Sequence, residues 1–135
     1  MKSFLTSVFF ISVLLLVSGM RCTKPGSSIT GGKGGGATLV VTPVHLALNV
    51  DSCTIYIKYA AVDAPANGIY DDSQKVHLSD TTPVAIFAGL KKGEYYIFGD
   101  GYHAVYYSYV KGGIPITITA EDSNFVLLPT SAYVK

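Results

Sequence analysis

The stretch Phe87-Ala-Gly-Leu-Lys-Lys-Gly-Glu-Tyr-Tyr-Ile-Phe98 constrains the fold more than any other part of the chain. One apolar run closes on Leu90, Lys91-Lys92-Gly93 supplies a tight turn, and a second apolar run opens with Glu94-Tyr95. A leucine, a glycine turn and a tyrosine two residues beyond the glycine is how a β-sandwich rounds a corner. The ring enters the core at the start of the new strand, and its hydroxyl bonds back to the turn backbone. Leu90, Gly93 and Tyr95 are expected to form such a structural corner.

The rest of the chain after Ala37 reads as strand, turn, strand. Thr38 to Thr42 and Val44 to Val50 are rich in β-formers and divided by Pro43, with Leu46, Leu48 and Val50 on alternate positions. Cys53 to Tyr59 places Cys53, Ile55, Ile57 and Tyr59 on one face and Thr54, Tyr56 and Lys58 on the other. Residues 61–74 form a long loop with a turn at Asn67-Gly68. A short strand near Lys75 to Leu78 and another over Pro83 to Ala88 lead into the corner. Gly99-Asp100-Gly101 reads as a turn, His103 to Val110 as a tyrosine-rich strand, and Lys111-Gly112-Gly113 as a second turn. Ile114, Ile116 and Ile118 then alternate with Pro115, Thr117 and Thr119, and Asn124 to Leu128 forms the last strand. Seven to nine short strands at this spacing, with no 3.6-residue apolar stripe after residue 22, predict a single all-β sandwich.

The chain divides into three parts. In residues 1–21, Lys2 precedes an apolar run from Phe4 to Val17, short for a membrane span and of the length of an export signal, with an uncleaved N-terminal anchor as the alternative. Cys22 follows five positions after that run. The arrangement resembles a bacterial lipoprotein signal, although Gly19 and Arg21 occupy positions where the usual motif has an aliphatic and a small residue. The resemblance implies a lipid on Cys22 and attachment to a membrane. Residues 22–37, glycine-rich and polar, read as a flexible tether, and 38–135 as the folded domain. Without the lipid, an export compartment also permits a bridge between Cys22 and Cys53.

Charge excludes some functions. From Cys22 onward there are eight lysines and nine acids, 8 − 9 = −1, and no arginine follows Arg21. Nucleic-acid binding and bidentate recognition of phosphate or carboxylate are disfavoured. Gly31 to Gly36 lacks the Gly-Lys-Ser/Thr ending of a phosphate loop. His45, His77 and His103 have no paired-ligand spacing, and Asp63, Asp71, Asp72 and Asp80 lack the regular offsets of a calcium loop. No catalytic constellation, metal site or cofactor motif is expected.

Residues 53–120 resemble a prealbumin-like sandwich of the carboxypeptidase-regulatory-like group, as found in small bacterial envelope lipoproteins. The likeness rests on Cys53 to Tyr59, Ala88-Gly-Leu-Lys-Lys-Gly-Glu-Tyr-Tyr96 and Lys111-Gly-Gly-Ile-Pro-Ile116. It implies a Greek-key topology and a non-enzymatic accessory or binding role in the cell envelope. The hydroxyisourate hydrolases share this type of sandwich but use His and Arg, and the domain here has no arginine. One stretch departs from a plain sandwich strand. With Tyr95 and Ile97 inward, Tyr96 and Phe98 lie on the outer face, where Tyr56 and Tyr106 join them if their strands are neighbours. Tyrosine gives contact area at low entropic cost, so Tyr56, Tyr96, Phe98 and Tyr106 form a candidate face for a protein or a glycan. The rival expectations are a structural subunit that self-associates through this face and a secreted soluble binding protein.

Overall fold

Alternation of apolar and polar residues is carried through as two packed sheets in the computed structural model, which describes residues 30–135. The strands are β1 (Lys33–His45), β2 (Leu48–Asn49), β3 (Ser52–Tyr59), β4 (Asp72–Lys75), β5 (His77–Ser79), β6 (Thr82–Leu90), β7 (Gly93–His103), β8 (Ser108–Ile118), β9 (Ser123–Pro129) and β10 (Ser131–Tyr133). The first sheet has β1 at its centre, with β6 and then β5 on one side, β9 on the other, and β2 at its end. The second runs β10-β8-β7-β3-β4. All pairings are antiparallel except β1–β9. The chain is an all-β sandwich.

Between the sheets lie Leu39 and Val41 of β1, Ile55 and Ile57 of β3, Phe87 of β6, Tyr95 and Ile97 of β7, Val110 and Ile118 of β8, and Leu128 of β9. Each fully buried aliphatic or aromatic side chain of this kind stabilises the fold by about 1.5–3 kcal/mol.

At the corner Leu90 and Tyr95 are fully buried. The Tyr95 hydroxyl donates to the Lys91 carbonyl (2.6 Å) and accepts from the Gly32 N–H (2.9 Å). Gly93 has φ of 147°, and a Cβ there would overlap the Thr30 backbone. Tyr95→Phe removes both hydrogen bonds from a fully buried ring. It should cost about 1–3 kcal/mol, the range for a buried polar group losing its partner. Urea denaturation of the two proteins checks this, and an unchanged midpoint would mean that the hydroxyl does not hold the corner.

The glycine run is not a tether over residues 30–37. Lys33 and Ala37 both stand opposite Leu90, so Gly34-Gly35-Gly36 form a bulge in β1, and Ala37 is fully buried. The Lys91 N–H donates to the Gly32 carbonyl (2.8 Å), and the Glu94 N–H donates to Thr30. A Cβ on Gly35 would overlap the Leu90 carbonyl. These glycines allow one backbone to lie directly on another. Export segment, Cys22 and residues 22–29 of the expected tether lie outside the described residues.

Four other expectations change. β1 continues through Pro43 to His45, where Leu46 (φ 48°) and Ala47 (φ 64°) turn the chain into β2, so Leu46 and Leu48 are exposed. Gly99-Asp100-Gly101 and Lys111-Gly112-Gly113 are interior to β7 and β8, not turns. Gly99 and Gly112 face each other and the core; Leu128 packs over Gly99, and the Pro129 carbonyl lies on Gly112 where the chain passes from β9 to β10. The expected strand from His103 to Val110 is broken by a single 3-10 turn, Ala104–Tyr106, followed by Tyr107 at φ 51°. The strand expected near Lys75 to Leu78 is divided between β4 and β5 at Val76.

Candidate functional site

The outer face of the second sheet can be read in rows, because antiparallel register sets outward residues side by side. Ser52, Tyr102, Tyr109 and Tyr133 form one row across β3, β7, β8 and β10. Next come Lys75, Thr54, Asp100, Lys111 and Ser131. The third row is Ser73, Tyr56, Phe98 and Gly113. Lys58, Tyr96 and Pro115 make the fourth. A polar row is therefore flanked on both sides by aromatic ones.

In the first aromatic bank Tyr102 and Tyr109 meet edge to face at 5.3 Å, and Tyr133 lies 6.1 Å from Tyr109. The Lys111 ammonium stands 4.4 Å over the Tyr133 ring and that of Lys135 stands 4.9 Å over Tyr109. The Tyr133 hydroxyl donates to Asp100 Oδ1 at 2.8 Å, and this hydrogen bond is the main cause that raises the phenol above its usual range.

The second bank is completed by the loop after β3. Asp71 Oδ2 accepts from the Tyr59 N–H (2.7 Å) and Oδ1 from the Lys58 ammonium (2.9 Å), while the Asp71 N–H donates to the Ile57 carbonyl (2.9 Å). Desolvation works against the Asp71 carboxylate, but these two donors outweigh it and hold the group below the ordinary carboxylate range. Fixed in this way, the loop lays Tyr70 on Phe98, stacked at 5.9 Å, and 5.5 Å from Tyr56. Burial, then the neighbouring Tyr96, raises the Tyr70 phenol, which keeps it a neutral donor.

Between the banks lies an open groove of ≈ 500 Å³ whose walls and floor include Tyr56, Thr54, Lys75, Asp100, Tyr102 and Tyr109. A smaller hollow of ≈ 440 Å³ adjoins it at Tyr56, Tyr70 and Ser73. Flat rings, hydroxyls, carboxylates and ammonium groups are thus offered together on a rigid sheet, an arrangement suited to binding.

No protein-family model, curated protein or solved structure matches this chain.

Of the residues singled out from sequence, Tyr56, Tyr96 and Phe98 share this face. Tyr106 does not. Because β7 ends at His103, Tyr106 sits on the 3-10 turn at the edge of the sandwich, its ring 5.7 Å from His45 and 4.9 Å from His103. The fold brings His45 and His103 to 5.5 Å, while His77 stays exposed on β5. His45 Nδ1 is 3.0 Å from the Thr130 carbonyl; both ring nitrogens of His103, which is 1% exposed, lack a hydrogen-bond partner among the described residues. No group of three or more His, Cys, Asp or Glu side chains placed to hold a metal occurs among the described residues. Asp72 pairs with Lys33 of β1 at 3.3 Å.

Sequence reasoning missed Tyr70, Tyr102, Tyr109, Tyr133 and the central Asp100. The signal was present as even spacing along β7: Tyr96, Phe98, Asp100 and Tyr102 alternate outward once Gly99 and Gly101 are read as strand.

Cys53 lies behind this face, buried and with no disulfide partner among the described residues. Burial, with the Asp100 carboxylate second, pushes its thiol up to about 12. At pH 8 it remains a thiol and a poor nucleophile. Iodoacetamide should leave Cys53 unmodified in the native protein over hours and modify it fully in guanidinium, as peptide mass analysis can show.

Proposed function

We propose that this chain is a non-enzymatic binding module of the bacterial cell envelope, held to a membrane by a lipid on Cys22, that presents the banded aromatic face of its second sheet to a ligand. The single observation that carries the binding role is the register that sets a polar row between two aromatic ones. The apolar run, Cys22 and the resemblance to envelope lipoproteins support the location. So does the layout of the domain. The chain enters beside Gly93 and Glu94, at one end of β7, and the groove lies at Asp100 to Tyr102, near the other. At roughly 3.3 Å per residue these points are about 20–30 Å apart. Cys22 precedes Thr30 by eight positions, a contour of at most about 28 Å. A module anchored at one end would carry its groove near the opposite end of β7, remote from the point of attachment.

Intact mass and membrane partition of the native protein, beside a Cys22→Ala variant, test the anchor. The expected result is a lipid mass increment and membrane association, both lost in the variant. Unmodified protein free in the medium would leave a secreted soluble module instead.

One observation favours a structural subunit as a second reading. Strand β9 is an edge with no charged residue between Ser123 and Pro129, and Phe125 and Leu127 are 77% and 66% exposed. This edge lies on the first sheet, away from the aromatic face through which the sequence suggested self-association. Sedimentation of the chain would show concentration-dependent association, abolished by Phe125→Lys, if that reading holds.

A further inference from the structure

We infer that the ligand of the groove between Tyr56 and Tyr109 is a neutral oligosaccharide, an inference that rests on the binding-module reading above. A sugar ring is a slab with apolar C–H faces and a rim of hydroxyls. It needs a flat aromatic surface for the face and closely spaced donors and acceptors for the rim. The second sheet provides both in alternation. Outward rows two residues apart lie about 6.6 Å from one another, so the aromatic banks stand about 13 Å apart with the polar row midway. A short sugar chain laid along the polar row crosses strands at about 4.8 Å intervals and meets a bank on either side.

The chemistry of the polar row narrows the class. Lys75, Thr54, Asp100 and Lys111 follow one another across β4, β3, β7 and β8. Charges of opposite sign alternate around a hydroxyl, so neither an anion nor a cation meets a uniform field. Asp100 uses Oδ1 for Tyr133, while Oδ2 has no partner among the described residues and can accept from a sugar hydroxyl. Lys75 forms no ion pair among the described residues and can donate.

Other classes fit less well. The centre of a protein interface is depleted in charged residues, whereas here the charged row is the centre. Nucleic acid needs a basic field, which Asp51 and Asp100 interrupt at this groove. The rings are also held in advance. Tyr109, 42% exposed, is braced by Tyr102, Tyr133 and Lys135, and Phe98 by Tyr56 and Tyr70. Little side-chain freedom remains to be lost on binding.

Isothermal titration of the full chain, in a detergent without a sugar headgroup, tests this. The probes are maltohexaose, cellohexaose, xylohexaose, mannohexaose and chitohexaose, with an oligogalacturonate as the acidic control. The expected result is saturable binding of at least one neutral probe at millimolar concentration or below. Tyr109→Ala and Tyr56→Ala should each weaken it at least tenfold, Tyr109→Phe should retain most of it, and Phe125→Ala should not change it. Circular dichroism and melting of each variant check that the fold is kept. Binding of none of the neutral probes, preference for the acidic one, or binding indifferent to both Tyr→Ala changes would overturn the inference. If that happens while the same tyrosines are shielded in native cells, the sugar is removed and the binding module stands. If they are not shielded either, both fail.

Discussion

Gly112→Ala is expected to lower the melting temperature by about 10 °C or more and to cost about 3 kcal/mol. Gly112 faces the core from the middle of β8, and a Cβ there would overlap the Pro129 carbonyl and touch Thr130 Cα at 3.0 Å. Both obstacles are backbone, at the point where the chain crosses from one sheet to the other. Thr130 cannot retreat without breaking its own bonds, since its N–H and its hydroxyl both donate to the Val44 carbonyl, at 2.8 and 3.0 Å. Gly113, one residue on, faces outward under the Tyr96 phenol. Gly113→Ala needs only the far end of one side chain to swing aside, so it should cost much less stability. Thermal unfolding of the two single variants measures the contrast. Equal, small effects would mean that the β9–β10 crossing does not press on β8.

Gly35 and Gly36 give the second large contrast. Gly35→Ala drives a methyl into the Leu90 carbonyl and Lys91 Cα, so it should destabilise by about 2–3 kcal/mol. At Gly36 the nearest atom to an added Cβ is Glu121 Cβ at 3.5 Å, an ordinary contact. Gly36→Ala also restricts the unfolded chain, and should be neutral or stabilising by up to about 1 kcal/mol. A flexible tether would make both changes neutral. Denaturant midpoints of the two variants therefore decide whether the glycine run is part of the fold.

These glycines also mark where the sequence could and could not be read. Wherever apolar and polar residues alternate, as from Cys53 to Tyr59 and from Ile114 to Ile118, the face of each residue follows from the period of two. The corner at Leu90, Gly93 and Tyr95 combines a turn and a buried ring within six residues, so it too is a local signal. A glycine has two local meanings, a turn or a place where another part of the chain comes close, and only a distant partner separates them. For Gly35 that partner is Leu90, for Gly99 Leu128, and for Gly112 Pro129. Reading these glycines as turns or tether cut β7 and β8 short and hid the rows on the second sheet. Tyr106 was misplaced for the complementary reason: the alternation was carried past His103, where the chain leaves the sheet. Tyr70 reaches the face through a loop fixed by Asp71, and no strand period points to it.

The measurement that tests the central claim most directly is hydroxyl-radical footprinting of the tyrosines, in intact cells and in the purified chain. If the banded face of the second sheet is the working surface, Tyr56, Tyr102 and Tyr109 are modified less in cells than in isolation. Tyr107, 84% exposed on the turn after β7, should be modified equally in both. Equal modification of all four tyrosines, or protection confined to Phe125 and Leu127 on β9, would contradict the account.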